Sequence, residues 1–225
     1  MSEGYYALGV SPESSLAAVF QRYFSLMDEL ETKIEYEIEG RSPKVINDFA
    51  HYQGAMNEIL REKELSGETP EGCLPPESLK KFYYYRGKRL FIEGKLYEAG
   101  QSFEKASRMA SRDGKTLYFL GRCLLASGNL KLAEDAFKLA SVKERKNPYL
   151  WLYLGDVYSK GGFPKKALPM WELCLDLDKH FFPALERLEK QGVNLRRKFI
   201  QEGFVELWEK LKGKFSSGKR SDREE

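Results

Sequence analysis

Three cysteines and two histidines are the side chains of this 225-residue chain best suited to nucleophilic or metal chemistry. The cysteines, Cys73, Cys123 and Cys174, lie far apart and lack the paired spacing of a zinc site or a disulfide framework. His51 and His180 have no partners at the spacing of a metal site or a catalytic triad. We therefore predict no catalytic residues, no metal and no cofactor, and three free thiols favour a cytoplasmic location.

Carboxylates are concentrated in the stretch "DELETKIEYEIE", residues 28–39. Paired carboxylates can carry out general acid–base chemistry, but a run of charges on a helix is usually a solvated face. The glycines do not form a glycine-rich phosphate-binding motif. Many of them recur at a regular interval along the chain. These patterns argue against an enzyme.

The regular interval is 34 residues and defines three units. Glycines recur at it in two series, and so do a small residue and an aromatic residue. The members are Gly87, Gly121 and Gly155; Gly94, Gly128 and Gly162; Ala99, Ala133 and Ala167; and Phe103, Phe137 and Trp171. We interpret each unit as two helices that cross at the first glycine, with the second glycine as a left-handed cap. The aromatic residue is expected to fill the gap to the next unit.

The units "YYYRGKRLFIEGKLYEAGQSFEKA", "LYFLGRCLLASGNLKLAEDAFKLA" and "WLYLGDVYSKGGFPKKALPMWELC" closely resemble the tetratricopeptide repeat over about residues 80–181. The resemblance implies an all-α solenoid whose first helices line a groove that binds a peptide or protein. The positions expected to be exposed in it are Lys81, Tyr84, Lys88, Phe91, Lys115, Tyr118, Arg122, Leu125, Tyr149, Leu152 and Asp156. This surface is basic and aromatic in its first two units, which favours a partner with carboxylates and apolar anchors.

The N-terminal third is predicted to be a helical bundle. After "GYYALGV", the Ser-Pro pair at residues 11–12 signals a helix from about Ser14 to Glu39, and a second helix is expected over residues 42–64. Tyr5, Leu8, Gly9 and Val10 resemble the opening of a chaperone J-domain. That family carries a His-Pro-Asp signature after its second helix.

This sequence departs from the family at the signature, because the alignment places Glu31-Thr32-Lys33 there. The second helix is also acidic, whereas that of the family is basic. We therefore expect a J-like fold that does not stimulate the ATP-dependent chaperone.

Charge separates the chain into two parts. Residues 1–66 hold 12 acidic and 6 basic residues, and the remainder holds 22 acidic and 31 basic residues. We predict a J-like bundle (1–66), a Pro/Gly linker (67–78), three repeats with a capping helix (79–192), an amphipathic helix (193–215) and a disordered tail (216–225). The sequence contains no stretch of about 18 apolar residues, so no transmembrane helix is predicted, and no signal peptide is expected.

The sequence favours a noncatalytic adaptor whose repeat groove binds a protein or peptide, while the bundle binds a second partner or braces the repeats. Three alternatives remain open at this stage. The chain could be an atypical co-chaperone. It could associate with a membrane or nucleic acid through basic residues near Arg196 and Lys210. The amphipathic C-terminal helix could also cover the groove.

Overall fold

The structure, a computed structural model, describes residues 3–34, 43–109 and 113–193. Within these ranges the regular elements are eleven helices and no strands, which confirms the predicted all-α class. The chain divides into two compact units, Met1–Leu150 and Trp151–Glu225, which are described separately. This division falls within the three repeats.

The first unit begins with a bundle of α1 (Glu3–Leu8), α2 (Leu16–Ile34) and α3 (Pro43–Leu65). Helix α1 ends at Gly9, whose φ of 67° is the left-handed conformation expected there. Ser15 caps α2, because its hydroxyl accepts a hydrogen bond from the Ala18 amide at 3.3 Å. The predicted C-terminal end of this helix near Glu39 lies outside the described residues.

Helix α1 crosses α3 at very close range. A Cβ atom at Gly4 would lie 2.6 Å from the carbonyl oxygen of Ala55, so only glycine fits. The Gly4 amide donates to Glu58 at 3.1 Å. Below this crossing the aromatic side chains of Tyr5, Phe20 and Phe49 are buried, and they form the core of the bundle.

The predicted linker contains the short helix α4 (Pro70–Cys73). Its start is capped by Thr69, whose hydroxyl accepts from the Gly72 amide at 3.3 Å. The Glu71 carboxylate accepts a hydrogen bond from the hydroxyl of Tyr83 in the next helix. The Glu71 side chain thus attaches this segment to the first repeat. The helix itself forms because the Thr-Pro-Glu sequence supplies an N-terminal cap, which the composition of the linker alone does not reveal.

Three helix pairs follow: α5 (Pro76–Ile92) with α6 (Leu96–Met109), α7 (Gly114–Ala126) with α8 (Leu130–Ser141), and α9 (Pro148–Lys160) with α10 (Pro164–Leu177). The caps Gly94, Gly128 and Gly162 have φ values of 75°, 80° and 80°. This confirms the predicted left-handed ends. Helix α11 (Phe182–Lys190) packs on α10, and the predicted helix and tail after residue 193 lie outside the described residues.

Each repeated aromatic residue packs against the glycine of its own helix pair, a contact that the sequence analysis did not predict. A Cβ atom at Gly87 or Gly121 would lie 2.8 Å from the ring of Phe103 or Phe137 in the same helix pair. In the third repeat Trp171 covers Gly155 in the same way, and its indole N–H donates to the Leu152 carbonyl at 3.2 Å. The ring therefore fills the space above its own glycine first. Phe103 also stacks on Phe119 of the next repeat, at a centroid distance of 5.5 Å.

The cysteines behave as the sequence predicts for core thiols. Cys123 and Cys174 are buried, and Cys73 is exposed. Burial raises the pKa of both the Cys123 and the Cys174 thiols to about 12. Neither is therefore activated as a nucleophile.

Candidate functional site

Helix α2 of the bundle lies against α5 on the surface where the sequence predicts a groove. Phe20 meets Phe82 edge to face at a centroid distance of 5.4 Å. Tyr23 and Phe24 lie 6.2 Å and 6.5 Å from the ring of Tyr85. Aromatic packing of this kind fixes α2 on the first repeat, and it brings the acidic edge of α2 over α5 and α7.

The first carboxylate on this edge belongs to Asp28. Its Oδ2 accepts from the Lys81 ammonium at 2.5 Å, and its Oδ1 accepts from the Tyr85 hydroxyl at 2.5 Å. The Asp28 and Lys81 side chains are each 48% exposed. Solvent screens such a pair, so it contributes little to stability by itself.

The second carboxylate belongs to Glu31 and lies much deeper. Its Oε2 accepts from the Lys88 ammonium at 2.6 Å, and its Oε1 accepts from the Tyr84 hydroxyl at 2.7 Å. The Lys88 side chain is fully buried, and its ammonium lies 5.0 Å from the centre of the Phe119 ring. Lys115 of α7 lies 3.9 Å from Glu31 Oε1. A buried lysine needs such a counter-ion, because an isolated charge in this environment is very costly.

The four donors on α5 have the spacing of one helical face. Lys81, Tyr84, Tyr85 and Lys88 stand at positions i, i+3, i+4 and i+7. Asp28 and Glu31 stand at i and i+3 on α2. Each carboxylate thus receives one ammonium and one phenol. We call the four α5 residues the two-carboxylate seat.

Both phenols of the seat are held in the protonated form. Burial, together with the charge and the hydrogen bond of Glu31, raises the pKa of Tyr84 well above its usual value. Burial and the hydrogen bond to Asp28 raise the pKa of Tyr85 in the same direction. A protonated phenol donates to a carboxylate, whereas a phenolate repels it, so the seat requires both tyrosines to remain neutral.

A dependence of stability on alkaline pH follows from these shifts. Because the folded pKa lies above the unfolded value of about 10, the stabilisation is complete below pH 10 and is lost as the pH rises beyond it. We expect Tyr85→Phe to reduce the fall in the free energy of unfolding above pH 10 by up to about 1.4 kcal/mol per pH unit. Urea denaturation between pH 8 and 11.5 measures this slope. Tyr97→Phe, at a position 75% exposed, is the control and should leave the slope unchanged. Equal slopes in all three proteins would contradict the assignment.

The structure corrects the expectation that all predicted groove residues are exposed. Tyr84, Lys88, Tyr118, Leu125 and Leu152 are buried. In the first repeat the reason is α2, which covers Tyr84 and Lys88. Tyr118 packs on the rings of Phe119 and Phe137, and so belongs to the core of the second repeat.

The remaining predicted residues are partly or fully accessible. Lys81 is exposed, and Phe91, Lys115, Arg122, Tyr149 and Asp156 are half-buried. Arg122 stacks on Phe91 at 4.5 Å from the ring centre, a cation–π contact. In the third repeat both oxygens of Asp156 accept hydrogen bonds from Arg187 of α11, at 3.3 Å each. The structure therefore brings together the predicted groove residues on α5 and α7. Asp156 of α9 is instead bonded to Arg187 of α11.

A cavity of about 490 Å³ opens beside the seat within the first unit. Its lining holds three aromatic residues, three lysines and three carboxylates, namely Phe24, Tyr84, Tyr85, Lys80, Lys81, Lys115, Glu31, Glu77 and Asp113. Glu31 lies at its inner wall. Of the seat, Lys81 is exposed beside this cavity, whereas Tyr84, Tyr85 and Lys88 are buried.

Sequence reasoning missed three residues of this site, namely Asp28, Glu31 and Tyr85. The carboxylates stood in a charge run interpreted as a solvated face, and Tyr85 is not one of the predicted groove positions. The available signal was complementary spacing, since "KFYYYRGK" places two lysines around three consecutive tyrosines and "DELE" places Asp28 and Glu31 one helical turn apart.

Comparisons with known proteins agree with the repeat architecture. The crystal structure of MamA superposes with a TM-score of 0.53 over 77% of this chain and 94% of that one, at 21% identity. YrrB, a TPR protein with an unusual peptide-binding site, superposes with a TM-score of 0.50 over 92% of each chain, at 14% identity. The chain has a tetratricopeptide-repeat fold.

Sequence comparison extends over a shorter part of the chain. The BBSome complex member bbs-4 of Caenorhabditis elegans is 27% identical over 109 residues, which are 48% of this chain. The match spans 23% of the length of that relative. No family model matches the chain.

Two further searches concern the described residues only. None of the helices in residues 3–34, 43–109 and 113–193 combines the length and apolar character needed to cross a membrane. Over the same part of the chain, no group of three or more His, Cys, Asp and Glu side chains is placed to hold a metal ion.

Proposed function

We propose that this protein is a noncatalytic scaffold that binds a peptide or protein partner in the groove of its first two repeats. The observation that carries the proposal is the Glu31 carboxylate, which Lys88 and Tyr84 bind at 2.6 Å and 2.7 Å. The predicted groove residues thus already bind an acidic side chain supplied by the chain itself. A surface that receives one carboxylate in this way is suited to receive those of a partner.

The accessible part of this groove is the cavity beside the seat. Lys81 and Lys115 offer ammonium groups at its edge, and the largely buried rings of Phe24 and Tyr85 form part of its wall. An interface with aromatic anchors and polar contacts at its rim has the composition of a protein-binding site. The peptide-binding site named for YrrB and the complex membership named for bbs-4 are consistent with such a role.

The N-terminal bundle serves in this proposal as a J-like brace that has no chaperone-stimulating activity. The resemblance to the J-domain assigns the first signature position to Glu31, and this side chain is only 12% exposed and is directed at α5. A second protein cannot reach it without removing α2 from the repeats. We therefore expect no acceleration of a partner chaperone's ATPase by the purified full-length protein, and a clear acceleration would favour the co-chaperone alternative.

Affinity capture from the source organism tests the scaffold function. The groove variant Lys81→Gln/Lys115→Gln is compared with Lys131→Gln/Lys143→Gln, which removes two exposed lysines elsewhere. We expect the wild-type chain and the control to retain the same partner, and the groove variant to retain about tenfold less, since each lost charge-assisted hydrogen bond costs about 1.5–3 kcal/mol before solvent screening. Equal retention by all three proteins, measured by quantitative mass spectrometry, would contradict the proposal.

A further inference from the structure

We infer that the partner recognised at this groove is an acidic α-helix with two carboxylates three residues apart, and that α2 is its intramolecular competitor. The inference rests on the proposed function and specifies its ligand. The seat, Lys81, Tyr84, Tyr85 and Lys88, binds Asp28 and Glu31 as a matched pair. We expect a partner to be bound through the same feature that the seat binds in α2, namely two carboxylates three residues apart on a helix.

The spacing of the seat selects a helix over an extended peptide. The donor pair Lys81 and Tyr85 and the donor pair Tyr84 and Lys88 are centred three residues apart on α5, which is about 4.5 Å along a helix. Asp28 and Glu31 are separated by the same rise on α2. Residues on one face of an extended strand are about 6.6 Å apart, so they do not match both pairs.

The chemistry of the seat selects carboxylates over amides. All four groups are donors to the ligand, and each carboxylate receives one ammonium and one phenol. Lys88 is the stricter position, because its side chain is fully buried and a neutral ligand would remove the carboxylate that lies 2.6 Å from its ammonium. Lys81 is half exposed, and solvent can partly replace a missing carboxylate there. We therefore expect the second of the two acidic residues to be the more important one.

The cavity of about 490 Å³ reaches three residues of the seat, Lys81, Tyr84 and Tyr85, whereas the fully buried Lys88 is not among its lining residues. Lys81 and Lys115, which are 48% and 33% exposed, line it and offer the first contacts for an incoming helix. Because α2 belongs to the same chain and packs beside α5 as part of the bundle, its effective concentration at the seat exceeds that of a free helix. A helix added in trans must compete with this, so its apparent affinity depends on how firmly α2 is held.

The experiment uses the full-length protein and a labelled peptide of residues 16–34, measured by fluorescence anisotropy. In the protein, Asp28→Asn/Glu31→Gln weakens the internal ligand without replacing any of the four residues of the seat. We expect this variant to bind the peptide at least tenfold more tightly than the wild-type protein does. A peptide that carries the same two substitutions should bind at least tenfold more weakly to the variant.

Two results would overturn the inference: no binding of the peptide by the folded variant, or equal binding of the acidic and the substituted peptides. If circular dichroism shows that the double variant is unfolded, Asp28→Asn alone decides the question, since it alters a half-exposed pair. A partner captured through Lys81 and Lys115 that does not compete with the peptide would refute this inference alone. Peptide binding without any captured partner would refute the proposed function and leave the ligand preference standing.

Discussion

Replacing Glu31 by glutamine is expected to lower the free energy of unfolding by about 3–5 kcal/mol. The substitution keeps the shape of the side chain and removes the charge that faces Lys88 at 2.6 Å. Lys88 is fully buried, and the aromatic rings of Tyr84 and Phe119 are among its other neighbours. These rings attract the ammonium but do not replace a carboxylate, so Lys88 either remains charged at a high cost or loses its proton. Urea denaturation followed by circular dichroism measures the effect.

A double-mutant cycle separates this pair from its surroundings. Lys88→Met fits an apolar side chain among the same rings, and the double variant Glu31→Gln/Lys88→Met should recover most of the loss, because no unpaired charge remains. The control is Glu134→Gln, which breaks the exposed i,i+4 pair with Lys138 and should cost less than about 0.5 kcal/mol. An effect of Glu31→Gln no larger than that of Glu134→Gln would show that Glu31 is not buried against α5.

Replacing Gly121 by alanine is expected to destabilise the protein by about 1–3 kcal/mol, although alanine is the better helix former. The added methyl group would lie 2.8 Å from the ring of Phe137. That ring is fully buried and packs on Tyr118, so it has no free space into which to move. Overpacking therefore outweighs the gain in helix propensity.

Gly54 provides the matched control in the middle of α3. A Cβ atom there would have no neighbour within 4 Å, so Gly54→Ala gains helix propensity without a clash. We expect it to stabilise the protein by about 0.5–1 kcal/mol. Thermal and urea unfolding of both variants measure the two effects. A stabilising Gly121→Ala would contradict the crossing geometry derived for the repeats.

The repeats could be predicted from the sequence because their determinants are local. Gly94 and Gly128 mark helix ends through their own backbone conformation, and Gly87 and Phe103 are brought together within one helix pair. A period of 34 residues makes such contacts recur, so each unit supports the interpretation of the others. The position of the aromatic ring above its own glycine was missed, because spacing alone does not indicate which neighbour a side chain covers.

The two-carboxylate seat could not be predicted in this way. Its hydrogen bonds join residues 53 to 57 positions apart, and no periodic pattern links α2 to α5. The groove residues of the first two repeats were predicted to be exposed, whereas Tyr84, Lys88, Tyr118 and Leu125 are buried. Glu31 was assigned to a solvated face because charge runs usually are solvated, and burial beside Lys88 depends on a tertiary contact.

Zero-length carbodiimide coupling tests the placement of α2 on the repeats most directly. The reagent joins a carboxylate to an ammonium only when the two are in contact, and Asp28 and Lys81 are 2.5 Å apart and each 48% exposed. We predict that mass spectrometry of the digested monomer will identify an amide bond between Asp28 and Lys81, and that Lys81→Gln will abolish it. Coupling of Asp28 to other lysines, with none to Lys81, would contradict the account of α2 as the internal ligand of the groove.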